Sequence, residues 1–202
     1  MFKLKNLKKN YNWLPVVNLD NQLLLSCVEN VFKFNEVKEL INVSENQGYI
    51  KAGLTSDKFK KQKVDEYVRK SDRVIIDSPE LAELIENRIK HAIPKIYKGM
   101  KYDSINERFR FLKYDGEGHF NRHTDGHYQD QDKVSLITIL IYLNQDYQGA
   151  YTTFFQDKYD KIGFALPPKT GMVCLMDQDI EHQVPELEKG VKYVVRSELM
   201  YK

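Results

Sequence analysis

The stretch that most restricts the fold is "KVSLITILIYLN", residues 133–144. Apolar side chains occupy both alternating faces of residues 134–143, so a strand here must be covered on both sides. The segments downstream of residue 105 and around this run have the same character. "INERFRFLKY", "YTTFF", "KIGFAL", "GMVCLM" and "VKYVVRSELMY" are rich in β-branched and aromatic residues and are separated by turn formers.

The first half reads differently. "FNEVKELINVSENQG" offers Asn35 as N-cap, Val37, Leu40 and Ile41 on one face, and Gly48 as a stop. In "DSPELAELIENRIKHAIP", Ser78 can cap and Pro79 suits the first helical position. There Leu81, Leu84, Ile85, Ile89 and Ala92 recur at helical spacing, and Pro94 ends or kinks the helix. A short strand, "RVIID", precedes it. Helices first and strands after predict an α+β protein, with helices packed outside a β-sandwich or barrel. One domain over 1–202 is expected: a helical and strand support region at 1–104 and the β core at 105–202.

A chain of 202 residues with 42% apolar content can bury such a core. A formal charge of +2 gives no whole-chain field for nucleic acid. Residues 51–73 are locally basic, with eight Lys or Arg against four acids, which reads first as a solvated loop. Cys27 and Cys174 form no motif, and the N-terminus has no apolar signal core. The expectation is a cytoplasmic protein without membrane spans; its oligomeric state is not legible.

Chemistry enters at "FNRHTDGHYQD". With five His and 29 acids in the chain, a His-x-Asp/Glu tripeptide is expected roughly 0.7 times by chance, so its context must decide. In a strand, residues i and i+2 share a side, so His123 and Asp125 can present an imidazole and a carboxylate to one cation. His182, 57 residues beyond Asp125, is the best third ligand. Two His and one carboxylate on one face suit non-haem Fe(II) and its oxygen chemistry. His127 is the main rival, since His123 and His127 would suit zinc on a helix, but Gly126 argues against a helix there. His119 reads as a loop residue and His91 as a helix-boundary one.

Iron of this type needs an electron-donating cosubstrate. A dicarboxylate such as 2-oxoglutarate would require a cation for its distal carboxylate, and Lys192 stands ten residues after His182. Alternation places Lys192, Val194, Arg196 and Glu198 on one face of the last strand. Two cations facing a barrel interior are costly without an anion. On the residues alone, the reading in which this face is solvated and Val191, Tyr193 and Val195 are core is the stronger one.

The ordered set "RFRFLKYDGEGHFNRHTDGHY", "LITILIYLNQDYQGAYTTFF", "LPPKTGMVCLM" and "EHQVPELEKGVKYVVRSELMY" resembles the prolyl 4-hydroxylase-like branch of the Fe(II)/2-oxoglutarate-dependent dioxygenases. The resemblance runs from about residue 105 to 201. It implies a double-stranded β-helix (jelly-roll, cupin-like) core with helices outside the major sheet. It assigns iron to His123, Asp125 and His182 and the distal cosubstrate carboxylate to Lys192. Tyr114 and Tyr142 fall where such enzymes often have tyrosines bonded to the cosubstrate, and Arg196 is a secondary candidate that could instead support Asp125. The implied cofactors are Fe(II), 2-oxoglutarate and O2, with ascorbate (vitamin C) an optional addition. Departures are Gly149-Ala150 in place of Gly-Gly, Met176 in place of an aromatic, and a large Tyr151.

The reaction implied is hydroxylation of an unactivated C–H, with release of succinate and CO2, on a peptide or protein side chain such as prolyl. A nucleic-acid demethylase on the same fold is the runner-up, but its RxNxTxR-like strand is absent. A catalytically silent barrel and a zinc hydrolase follow. Residues 55–73 lack apolar periodicity and are expected to form a long mobile loop. In enzymes of the resembled family a loop here closes over substrate. It is therefore expected to be a lid whose Lys60, Lys61 and Lys63 select an acidic or phosphate-bearing partner.

Overall fold

The computed structural model describes residues 13–15, 23–55 and 62–202. Among these, an antiparallel sheet of eleven strands faces a smaller one of five. The large sheet runs through Leu25–Val28, Val173–Asp177, Lys133–Tyr142, Lys192–Tyr201, Arg108–Tyr114 and Asp72–Asp77. The small sheet orders Phe164–Ala165, Thr153–Phe154, His182–Val184, His119–His123 and Arg69–Lys70.

The doubly apolar run explains this layering. On Lys133–Tyr142, Ile137, Ile139 and Ile141 point to one side, where they pack with Phe109, Phe111, Val195 and Leu199. The same core takes Leu40 from helix α1 (Phe34–Gln47) and Leu81, Ile85 and Ile89 from α2 (Pro79–Ile89). Each such side chain contributes about 1.5–3 kcal/mol on burial, which is what holds the helices on this face. The alternate residues Leu140 and Tyr142 point the other way, into a second core with Leu112, Tyr114, Val194 and Phe154 between the two sheets. Two facing antiparallel sheets with helices outside the larger one form the expected jelly roll.

Several boundaries differ from expectation. Helix α1 is capped at Lys33 rather than Asn35, because Glu36 turns back to accept the Lys33 backbone N–H at 2.8 Å. Ser78 caps α2 as expected, accepting from the Leu81 N–H at 3.1 Å. That helix ends at Ile89, so His91 and Ala92 lie outside it. A tight turn, Ala92 N–H to Ile89 O at 2.7 Å, closes it before the residue preceding Pro94, which disfavours helical backbone. "INERFRFLKY" is broken at residues 106–107 into the ends of two strands, Met100–Ile105 and Arg108–Tyr114.

The described part of 55–73 is not a structureless loop. Leu54–Thr55 pairs with Gln62–Lys63, Arg69–Lys70 joins the small sheet beside Phe120, and Asp72–Asp77 joins the large one. Polar residues there were expected to be solvated, yet Arg69, Ser71 and Arg73 alternate into buried positions. Lys63 is exposed, and Lys60 and Lys61 lie outside the described residues. No helix among the described residues is long and apolar enough to cross a membrane.

Candidate active site

The two sheets bring distant residues together at one end of the inter-sheet space. His119–His123 and His182–Val184 are antiparallel neighbours in which His123 pairs directly with His182. Asp125 follows just past the first strand, tied by its backbone N–H to the Gln178 carbonyl at 3.1 Å. One potential ligand atom from each of His123, Asp125 and His182 lies within 4.8 Å of the others.

The surrounding hydrogen bonds set these side chains up as donors of lone pairs. His123 Nδ1 meets the Asn121 carbonyl at 2.7 Å, and His182 Nδ1 meets the Ile180 carbonyl at 3.0 Å. A carbonyl only accepts, so Nδ1 carries the proton in both rings and Nε2 keeps a free lone pair. Burial, with the neighbouring His182 adding to it, pushes the His123 imidazole down to about 3, so it stays neutral at ordinary pH. For Asp125, burial alone would raise the carboxyl. Arg196, His182 and the Thr138 hydroxyl outweigh it and hold the group well below the usual carboxylate range. Thr138 donates to Asp125 Oδ2 at 2.6 Å, and Arg196 Nε lies 3.3 Å from the same oxygen. Arg196 thus sits on the Asp125 side of the site.

His127 is held elsewhere. Its Nδ1 meets the Ser135 carbonyl at 2.8 Å and its Nε2 meets Asp179 at 3.2 Å. His119 bonds the Glu117 and Tyr67 carbonyls.

The expected alternation of the last strand holds. Lys192, Val194, Arg196 and Glu198 line a cavity of about 440 Å³ that also contains His123, Asp125 and His182. This face is not solvated: Lys192 is 0% exposed. The Lys192 ammonium donates to the Ala150 carbonyl at 2.7 Å and lies 3.2 Å from the Thr152 hydroxyl. Gly149 and Ala150 both adopt positive φ (73° and 50°), a turn that brings this carbonyl to the lysine. A Cβ on Gly149 would come within 2.5 Å of the Glu186 carbonyl, so the first of the two must be glycine.

Burial lowers the Lys192 ammonium to about 7, and no acidic group offsets it. Instead the Tyr114, Tyr142 and Tyr147 rings surround it at 5.3, 5.8 and 6.0 Å. Tyr114 lines the cavity, whereas the Tyr142 hydroxyl donates to Thr152 at 2.9 Å and so reaches Lys192 through it. Among the described residues the buried cation has no acidic partner and the buried Tyr147 hydroxyl beside it has no partner, an arrangement that an anion would satisfy.

Reading the sequence missed Tyr147, Thr152, Thr138 and three cavity arginines, Arg69, Arg73 and Arg110. Thr138 and Arg110 could have been found by carrying the strand alternation through. Nothing local marked Tyr147, which reaches Lys192 from a loop.

Residues 109–197 match the family described as the 2OG-Fe(II) oxygenase superfamily. That segment, 89 of the chain's 202 residues, resembles the 2OG-Fe(II) oxygenase superfamily. The match and the fold support a 2-oxoglutarate-dependent dioxygenase, for which the family implies Fe(II) and 2-oxoglutarate. The donor set fits such an iron, and the buried lysine and tyrosines fit a dicarboxylate.

Solved structures with this fold include a prolyl 4-hydroxylase of Pseudomonas putida, with 15% identity and a TM-score of 0.65, over 88% of this chain and 93% of that one. The viral collagen prolyl hydroxylase of Paramecium bursaria Chlorella virus-1, in its 2OG complex, has 16% identity and a TM-score of 0.60, over 90% and 98%. A prolyl hydroxylase of Trichoplax adhaerens, in complex with a hypoxia inducible factor oxygen degradation domain peptide fragment, has 16% identity and a TM-score of 0.69, over 92% and 87%. No curated protein matches the sequence significantly.

Proposed function

We propose that this oxygenase holds Fe(II) through His123, Asp125 and His182, and the distal carboxylate of 2-oxoglutarate on Lys192. Its substrate is then a peptide or protein side chain, hydroxylated at an unactivated C–H with release of succinate and CO2. The observation that carries the reading is the fully buried Lys192 ammonium, with no acidic partner among the described residues, in the same cavity as the three candidate ligands. Support for a peptide substrate comes from the Trichoplax adhaerens neighbour, which was solved with one.

In this reading the chemistry supplied by bound iron, 2-oxoglutarate and O2 is the oxidation of a C–H bond to C–OH. The chain's own residues orient the reactants. Ile180 and Asn121 fix the imidazole tautomers, Thr138 and Arg196 fix the carboxylate, and the Tyr114, Tyr142 and Tyr147 rings keep water from the lysine.

Mn(II) titration tests the ligand set without turnover. Wild type and His127→Ala should bind the ion, and His123→Ala, Asp125→Ala and His182→Ala should not. With Fe(II), ascorbate and O2, a proline-containing peptide should gain the mass of one oxygen only when 2-oxoglutarate is present. Loss of Mn(II) binding in His127→Ala equal to that in His182→Ala would sink the assignment.

A further inference from the structure

The cavity is more cationic than an iron and a dicarboxylate require. Among the described residues, five cationic side chains line it (Arg69, Arg73, Arg110, Lys192 and Arg196) against two carboxylates, Asp125 and Glu198. A divalent iron and a dianionic cosubstrate cancel, so the lining keeps an excess of three positive charges. Glu198 is already engaged: Arg110 reaches it at 2.8 Å and Arg196 at 3.4 Å.

The arginines crowd one another. Arg110 is the cross-strand partner of Arg196, and Arg73 stands opposite Leu112 on the next strand. Burial, then the charges of Arg69, Arg110 and Arg196, push the Arg73 guanidinium down. Arg69 is 8% exposed; its Nε donates to the Ser71 hydroxyl at 2.8 Å, but one buried terminal nitrogen has no hydrogen-bond partner among the described residues. Its guanidinium lies 4.6 Å from the Phe120 ring centre, and that ring stacks on His123 at 3.6 Å. The unpartnered donor is therefore one aromatic ring away from a candidate iron ligand.

A buried guanidinium with an unmet donor, such as that of Arg69, is costly unless an anion joins it, and its planar fork matches a carboxylate or a phosphate. We propose that Arg69, with Arg73 and Arg110 beside it, forms a subsite for an anionic group on the primary substrate, next to the carbon that is oxidised. The substrate class becomes an acidic or phosphorylated peptide rather than a neutral one. The selection for acidity that the sequence placed on Lys60, Lys61 and Lys63 is thus assigned to buried arginines. This deepens the proposed function and rests on it.

Three synthetic peptides test it, each with a central proline flanked on both sides by aspartate, phosphoserine or asparagine. Their binding is measured by fluorescence anisotropy on the protein loaded with Mn(II) and 2-oxoglutarate. The aspartate or phosphoserine peptide should bind at least about tenfold tighter than the asparagine one, and the stronger of the two identifies carboxylate or phosphate as the natural group. Arg69→Gln should erase the preference, and Arg69→Lys, which keeps charge but not the fork, should restore part of it. The rise in melting temperature caused by 2-oxoglutarate should be the same in all three proteins. Equal responses to the three peptides, whether all bind or none does, would overturn the subsite. So would loss of the 2-oxoglutarate effect in Arg69→Gln, which would hand the guanidinium to the cosubstrate. If Mn(II) and 2-oxoglutarate fail to stabilise even the wild type, the proposed function fails instead, and the peptide comparison on metal-free protein still decides the subsite.

Discussion

Replacing Lys192 by Met should stabilise the metal-free protein and abolish its response to 2-oxoglutarate. The folded ammonium is lowered from its ordinary 10.5 to about 7. Because the folded value lies below the unfolded one, the unfolded chain binds more protons between those two pH values, and stability rises with pH across that window. The cost of burying the charge is complete below pH 7 and gone above about pH 10.5. At pH 7 it amounts to about 4 kcal/mol, from 1.36 kcal/mol per pH unit. Met keeps the stem and removes the charge, but it forfeits the bonds to Ala150 and Thr152, worth about 1–2 kcal/mol together. The net gain is about 2–3 kcal/mol, which is roughly 4–12 °C in melting temperature for a chain of this size. Thermal unfolding followed by circular dichroism reads it directly. The gap between Lys192→Met and wild type should close as the pH is raised from 7 towards 10. With Mn(II) present, 2-oxoglutarate should raise the wild-type melting temperature by mass action and leave the variant unmoved. A Lys192→Met protein less stable than wild type at pH 7, or one that keeps its 2-oxoglutarate shift, would refute the view of this lysine as an uncompensated anion receptor.

Thr138→Val keeps the shape but removes the hydroxyl that donates to Asp125, and Mn(II) affinity measured by EPR titration should fall about tenfold. An unchanged affinity would mean that Arg196 alone orients the carboxylate. Glu36→Gln should cost about 3 kcal/mol in urea unfolding, because it leaves the buried Arg88 without the carboxylate that now binds it through both oxygens. The same variant should retain the full 2-oxoglutarate shift, since α1 lies on the far side of the large sheet from the cavity.

The sequence by itself determined the layers and the candidate iron ligands. A run apolar on both faces can only be a covered strand, and period-two alternation put Lys192, Val194, Arg196 and Glu198 on one side before any coordinates. His123 and Asp125 were legible because they are neighbours at strand spacing, and His182 because the order of motifs along the chain resembles a known family. What alternation could not say was which face of the last strand looks into a cavity. Both faces are buried, and the choice depends on a second sheet whose strands come from residues 69–70, 119–123, 153–154, 164–165 and 182–184.

The tertiary structure alone decided the electrostatics. Lys192 is a buried cation rather than a surface lysine because Tyr114, Tyr142 and Tyr147 close around it from three separate segments. Arg69 and Arg73 read as solvated charges in a basic stretch, and became cavity walls only when strand pairing turned them inward. His127 is held instead by the Ser135 carbonyl and by the distant Asp179. Sequence carries the periodicities that assemble sheets, because those are set by neighbours along the chain. The charge state of a buried group is set by neighbours in space, and no local pattern records them.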